Sequence, residues 1–359
     1  MTYENYILYL QGTIDTYPSK TKKHIHKLFT DANIDQNVSI PFHNAINDKD
    51  LEITEKIKAC LEQNEKAINL FEEWEFKKDY KYSVIFTCEN FEQLLNSVQC
   101  LSQSGNNPSN ESNRMFEWLE NPITSSDDDF DLIILKFNLK FEAIDPLNEN
   151  EIFLKYPVLI VIHKESKFIE LRFDVLKRVF ISDRREQSVY SDLIDDIIGY
   201  VKKNLNEDLA PLDLYYLVSQ VKQDTEEVRV MAEYRKLPNG GNAQLEVGNN
   251  QEYVLPIIGE FKELIKKYQT ELEKVPTLKE AFEQFIFEND ELSDYSWIEL
   301  MWENEIKTRR IRAKFIFNYR NKSYCLIQHY FNNALIGMER MNHVIRYINK
   351  HRKSVTIKD

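Results

Sequence analysis

The stretch YPVLIVIHKESKFIELRFD, residues 156–174, decides how the fold is read. Val158–His163 and Phe168–Phe173 are β-rich runs separated by the polar Lys164-Glu165-Ser166-Lys167 turn, which makes them an antiparallel hairpin. Alternate residues of a strand share a face. In the second strand Glu170, Arg172 and Asp174 therefore lie on one side with Phe168, while Ile169, Leu171 and Phe173 take the other. Such a row reads as a solvent-facing or interface ladder of paired charges. The lesser alternative is a set of sheet-borne carboxylates of the kind that metal-dependent nucleases use.

Outward from this hairpin, the alternation of strand and helix patterns continues. Towards the N-terminus, residues 6–11 (YILYLQ) and 80–87 (YKYSVIFT) read as β-rich runs around a long helical pattern from about 49 to 75, followed by a helix over Phe91–Leu101 opened by Asn90. Residues 102–113 carry no large apolar side chain and precede the acidic run Asp127–Asp129, so 102–129 reads as a linker or long loop. Leu132–Glu142 adds a strand before the hairpin. Helices follow near 187–205 and 211–222, with Pro211 suited to a first turn. Strands at 227–236 and 243–247 flank Asn239-Gly240-Gly241, a strong hairpin turn. Helical periodicity returns at 258–273 and from Leu278 to about Trp302, and the chain closes with a hairpin, Ile311–Tyr319 and Ser323–Tyr330, and a helix over Asn333–Lys350.

The pattern is α+β (mixed α/β): several antiparallel β-hairpins with packed helices, in two or three lobes. The expected division is an N-terminal α/β domain (1–101), the linker (102–129), a central hairpin and helix domain (130–256) and a C-terminal basic domain (257–359).

Charge is distributed unevenly along the chain. Ile306–Asp359 holds 13 Lys/Arg and two acids, Glu339 and Asp359, whereas the other residues carry 33 basic and 57 acidic side chains within a net charge of −13. A basic surface attracts polyanions. On the strand, Arg310, Arg312 and Lys314 face away from Ile311, Ala313, Phe315 and Phe317; on the helix, Arg340, His343, Tyr347 and Lys350 form a stripe apart from the Met/Ile stripe, with Arg346 beside it. The expected nucleic-acid contact is therefore Arg309, Arg310, Arg312, Lys314, Arg340, Arg346 and Lys350, because Lys/Arg displace phosphate counterions and nearby aromatics stack on bases. A rival reading is internal. Thr277–Glu305, immediately upstream, has nine acids against one lysine, and the basic end can pair with it or with the same block of a second subunit.

Several function classes are disfavoured. With eight glycines where an average chain would have roughly 25, there is no G-x-G-x-x-G, no phosphate-binding loop and no G-x-S-x-G elbow. Cys60, Cys88, Cys100 and Cys325 form no CxxC pair and read as reduced thiols, so no metal or other cofactor is expected. His24 and His26 fall on a helical pattern that turns their rings apart. The acidic clusters Asp127–Asp129 with Asp131, Asp192/Asp195/Asp196, Asp290/Glu291/Asp294 and Glu299/Glu303 are of the type that holds Mg²⁺, but chance clusters are expected among 59 acids. No catalytic set can be assembled from spacing.

The expectation is thus a cytoplasmic chain without a membrane span or leader, and its Lys-, Asn- and Ile-rich usage fits a bacterial source. It reads as a non-catalytic binding or assembly subunit, contacting nucleic acid or an acidic protein partner through its basic C-terminal region in an antiviral defence or DNA-processing system. The alternatives are a metal-dependent nuclease and a structural homo-oligomer whose acidic and basic faces pair between subunits.

Overall fold

The computed structural model describes residues 2–38, 49–104, 116–119, 122–129, 131–181, 186–223, 227–247, 255–303, 310–330 and 337–356. The chain forms two compact units, Met1–Ala210 with Ala334–Met341, and Pro211–Asn333 with Asn342–Asp359. Both are built as the α+β pattern requires, from antiparallel strands and helices.

The first unit begins with four helices, α1 (Tyr3–Thr16), α2 (Ser19–Asp31), α3 (Lys49–Gln63) and α4 (Glu65–Lys77). Residues 6–11 are helical, not a strand. Aromatic and β-branched residues favour strands only weakly, whereas the Thr2 hydroxyl accepts the Asn5 amide at 3.4 Å and Ile7, Leu10 and Ile14 fall on one buried face. Asn64 divides the expected 49–75 helix by capping α4, its side chain accepting the Lys66 amide at 3.0 Å. The four helices share a core that includes Leu10, Phe29, Ile57, Leu61 and Phe71.

Next come β1 (Tyr82–Thr87), α5 (Phe91–Ser104), β2 (Glu117–Trp118), β3 (Ile123–Asp127), β4 (Leu132–Ile144), β5 (Glu151–His163), β6 (Phe168–Phe173) and α6 (Val189–Tyr200). The strand order is β2-β4-β5-β6-β1, with β3 also on β4, so residues from both sides of the 102–129 stretch enter one sheet. The hairpin of residues 156–174 forms in the expected place, with Leu159 opposite Arg172 and His163 opposite Phe168. The first strand is longer than the β-rich run, because Pro157 does not end it. Only Leu159–His163 pairs with β6, so the Pro157 position donates to no second neighbour and needs no N–H there.

Helix α1 covers this unpaired half of β5. The Lys155 amide donates to the Thr13 hydroxyl at 3.1 Å, and Gly12 comes so close that a Cβ there would sit 1.7 Å from the Phe153 carbonyl oxygen. Helix capping of a strand edge satisfies backbone groups that would otherwise recruit another strand.

Strand β7 (Ala210–Pro211) lies at the unit boundary, and Pro211 is in it, not in the following helix. That helix, α7 (Tyr216–Gln223), opens where Asp213 accepts the Tyr215 amide at 2.8 Å. The second unit continues with β8 (Val228–Lys236), β9 (Asn242–Glu246), α8 (Ile258–Lys267), α9 (Gln269–Leu272), α10 (Pro276–Ile286), β10 (Asp294–Glu303), β11 (Arg310–Ile316), β12 (Leu326–Tyr330) and α11 (Glu339–Thr356), whose first three residues belong to the first unit. Its strand order is β12-β11-β10-β8-β9. The helical expectation for 278–302 fails beyond Glu291. Residues 294–303 form a central strand between β8 and β11, and burial of consecutive residues Ile298–Trp302 removes the alternation by which a strand is read.

Replacing Gly12 by alanine is expected to cost at least ~1–3 kcal/mol, the usual penalty of overpacking. A urea midpoint equal to that of the wild type would show that α1 does not rest on β5.

Candidate functional site

On the β4 face, period-two geometry brings Lys136, Asn138 and Lys140 to one side, and the register puts Lys155 of β5 opposite Lys140. Helix α4 lies over this face with Glu72 and Glu75, three residues apart and so on one side of the helix. The result is a four-charge cluster. Lys136 and Lys155 both pair with Glu72 and with Glu75, at 3.2 Å for Lys136–Glu75 and 2.5 Å for Lys155–Glu75. Both lysines and Glu75 are 0% exposed, whereas the Glu72 side chain keeps 16%. The Tyr6 hydroxyl donates to Glu72 Oε1 at 2.7 Å and ties α1 to the cluster.

Burial alone would raise the Glu72 pKa, but the ammoniums of Lys155 and Lys136 outweigh it and bring the carboxyl down from 4.5 to about 2. For Lys155, burial acts to lower the value and the two carboxylates raise it above the ordinary one. Both shifts favour the charged forms of Glu72 and Lys155.

Beside the cluster opens a cleft of about 690 Å³, within the range of small-ligand sites. Its walls come from the start of α1 (Tyr3, Tyr6), from α4 (Ile68, Asn69, Phe76) and from β3 (Ile123–Ser125), and Glu72 also lines it.

Glu170 and Arg172 of the charged row of the 156–174 hairpin are buried, which corrects the solvent-facing reading, while Asp174 is partly exposed. Every residue of β6 is inaccessible, so charge alternation here does not mark a wet face. The pairing itself is present: Arg172 donates to Glu170 Oε2 from Nε at 2.9 Å and Nη2 at 2.6 Å, and His163 Nε2 lies 3.0 Å from the same oxygen. Burial would raise Glu170, yet Arg172 and His163 hold it well below the usual carboxylate range. Burial lowers the His163 pKa despite Glu170. Asp174 pairs with Lys78, whose Nζ sits 3.7 Å from the Tyr80 ring centre.

Several of the expected basic contacts are paired within the chain. Arg309 lies outside the described residues. Arg310 pairs with Glu303 at 3.2 Å, and Arg312 donates to Glu299 from Nε at 2.7 Å, so two acids of the 277–305 block engage two of the expected contacts. Lys314 Nζ stands 3.4 Å from the Trp297 ring centre, and burial lowers its pKa against the pull of Glu299. Lys350 pairs with Glu227. Arg340 is only 6% exposed and Tyr347 is buried, so the expected stripe Arg340–His343–Tyr347–Lys350 is largely an inner face; Trp302 packs edge-on against both His343 and Tyr347. Arg346 is exposed.

The acidic clusters and the histidines assemble no metal centre among the described residues. His24 and His26 lie on α2, as read; His26 Nε2 is 3.8 Å from Asp35 and His24 packs beside Trp74. Asp290 instead joins a buried network. It accepts from Arg235 Nη1 at 2.9 Å and from the Tyr295 hydroxyl at 2.7 Å, and pairs with Lys262 of α8, while Arg235 also binds Glu233.

This network anchors a helical arm. Over residues 257–292, Phe261 packs edge-on against Phe282 and Phe285, with ring centres 5.2 and 5.7 Å apart, yet α10 buries no residue completely. Eight of the fourteen exposed large apolar residues among those described fall here: Ile257, Leu264, Tyr268, Val275, Leu278, Phe285, Phe287 and Leu292.

Neither the cleft cluster nor the Asp290 network emerges from motif reading. The available signal is a lysine inside an apolar strand run, as in LIILKFNL and FLKYPVLI, since lysine is almost never fully buried unless paired. No protein-family model, curated protein or solved structure matches this chain.

The sign of the Glu72 shift gives a pH window. Its folded pKa is depressed, so the stabilisation is complete above about 4.5 and is lost as pH falls towards 2. Urea midpoints are expected to fall across that interval. At pH 7, Lys155→Met should cost ~3–5 kcal/mol by leaving buried carboxylates short of a cation. Adding Glu75→Leu should recover much of that loss; additive losses would argue against the coupled cluster.

Proposed function

We propose that this chain is a non-catalytic binding or assembly subunit, and that its partner-facing surface is the helical arm of residues 257–292. The observation that carries this reading is the concentration of exposed large apolar side chains on the arm. Contiguous exposed apolar surface rimmed by charge is the composition of a protein interface, with aromatic residues supplying anchors. The arm is held in place by Asp290, which links Lys262 of α8 to Arg235 and Tyr295. A surface ordered before binding loses less entropy when it binds.

Charge selects the partner. The arm carries nine acids and five lysines, so it favours a basic, apolar protein surface over nucleic acid. A second copy is the poorer fit, because Arg310, Arg312 and Lys350 already pair within their own chain. The nucleic-acid reading keeps a narrower basis in Arg346, an exposed cation on α11.

A synthetic amphipathic helix of leucine and lysine is the suitable probe. It should bind the full chain and lose at least about tenfold in affinity with Leu264→Asp and Phe285→Asp, while the circular dichroism of both variants stays that of the wild type. Concentration-dependent doubling of mass, abolished by the same variants, would assign the arm to self-association instead. DNA or RNA binding that falls steeply with salt and is lost with Arg346→Glu would favour the nucleic-acid reading.

A further inference from the structure

Three charges, Lys136, Lys155 and Glu75, are withdrawn from water beside the α1–α4–β3 cleft, at a cost of several kcal/mol per ion that apolar residues of similar volume would not incur. What the arrangement provides is position. Glu72 is the member of the cluster that reaches the cleft, and its carboxylate is fixed from behind by two buried ammoniums and from the side by the Tyr6 hydroxyl. Perturbed, over-determined carboxylates of this kind concentrate at binding sites.

The chemistry of the lining narrows the ligand. It contains two carboxylates, Glu72 and the exposed Glu73, and no lysine, arginine or histidine. The two ammoniums that balance Glu72 are 0% exposed and present nothing to the cleft. A carboxylate has about four acceptor positions, and Glu72, which lines the cleft, receives one hydroxyl and two ammonium donors, so acceptor capacity remains on it. The rings of Tyr3, Tyr6 and Phe76 supply apolar wall; Lys136 already stands 4.5 Å from the Phe76 ring centre and Lys155 6.0 Å from that of Tyr6, so Tyr3 is the ring offered to a ligand cation. Glu73 pairs with Lys77 at 2.9 Å and Glu72 is balanced from within the protein, so an anion would find no cationic side chain in the lining to receive it.

We infer that this cleft binds an alkylammonium or guanidinium group carried on an apolar stem, with the charged head on Glu72 and the stem against Tyr3 and Phe76. A free amine metabolite and the lysine or arginine side chain of a peptide share this chemistry. The site lies in the first unit and does not depend on the arm.

The test is calorimetric titration of the full chain at pH 7 with n-hexylammonium, hexanoate and 1-hexanol. Hexylammonium is expected to bind at least about tenfold more tightly than either of the others. Ser125→Lys, which puts a cation into the cleft without touching the buried cluster, should weaken it by a further factor of about ten. Tyr3→Ala, at an exposed rim position, should weaken it by about threefold. Equal binding of hexanol would reduce the cleft to an apolar depression, and hexylammonium affinity unchanged by Ser125→Lys would place the amine elsewhere; either result overturns the inference. Acetyl-lysyl-amide with a free side chain, compared with 1,5-diaminopentane, then separates the sources: tighter peptide-type binding supports a protein side chain, tighter diamine binding a metabolite.

Discussion

Two glutamates and two lysines between α4 and the β4–β5 pair, all but Glu72 closed off from water, constrain how the first unit can be assembled. An unpaired buried charge is far more costly than a paired one, so every element that carries a member must arrive together. Strand register follows. Because side chains alternate, a one-residue slip of β5 against β4 would send Lys155 to the opposite face from Lys136 and leave both carboxylates undercompensated. The helix is fixed by the same argument, since only the face bearing Glu72 and Glu75 can lie over the lysines. Tyr6 extends the constraint to α1, and Gly12 and Thr13 then seat that helix on the open half of β5.

A similar solution recurs on two other strands, β6 and β8. Glu170 and Arg172 on β6, and Glu233 and Arg235 on β8, are glutamate and arginine two residues apart on inaccessible strand positions. Each pair recruits a further titratable group from another segment, His163 in one case and Asp290 in the other. In a sheet face that apolar residues could fill, such pairs add specificity of register more than stability. The Asp290 network has the further effect of joining an arm of low burial to a well-packed strand, which explains how helices with so few buried residues keep a defined place.

The sequence revealed the elements whose pattern is local. The hairpin of residues 156–174 and the turn at Asn239–Gly241 are written in consecutive residues, and both stand where periodicity puts them. Readings failed where tertiary contacts decide. YILYLQ has strand-like composition but helical spacing of its buried residues, and DYSWIELMWE has helix-favouring leucine, methionine and glutamate inside a strand paired on both sides. The alternating charges of FIELRFD were legible as a paired set but not as buried, because burial depends on what covers the other face. The cleft cluster was least legible: its carboxylates and ammoniums are 61 to 83 residues apart in the chain and meet only once the sheet has formed.

Net charge along the chain therefore has to be read after pairing, not before. The basic end carries thirteen cations, yet the structure shows Arg310 and Arg312 engaged by Glu303 and Glu299 and Lys350 engaged by Glu227, while Arg340 is turned inward. Each of these pairings lowers the field that a polyanion would meet outside. The arm shows the opposite balance, with acids in excess of lysines beside exposed apolar side chains. A charge asymmetry that began as a statement about a basic tail thus becomes one about an acidic, apolar surface, because several of the cations serve the fold while the arm keeps an excess of acids over lysines.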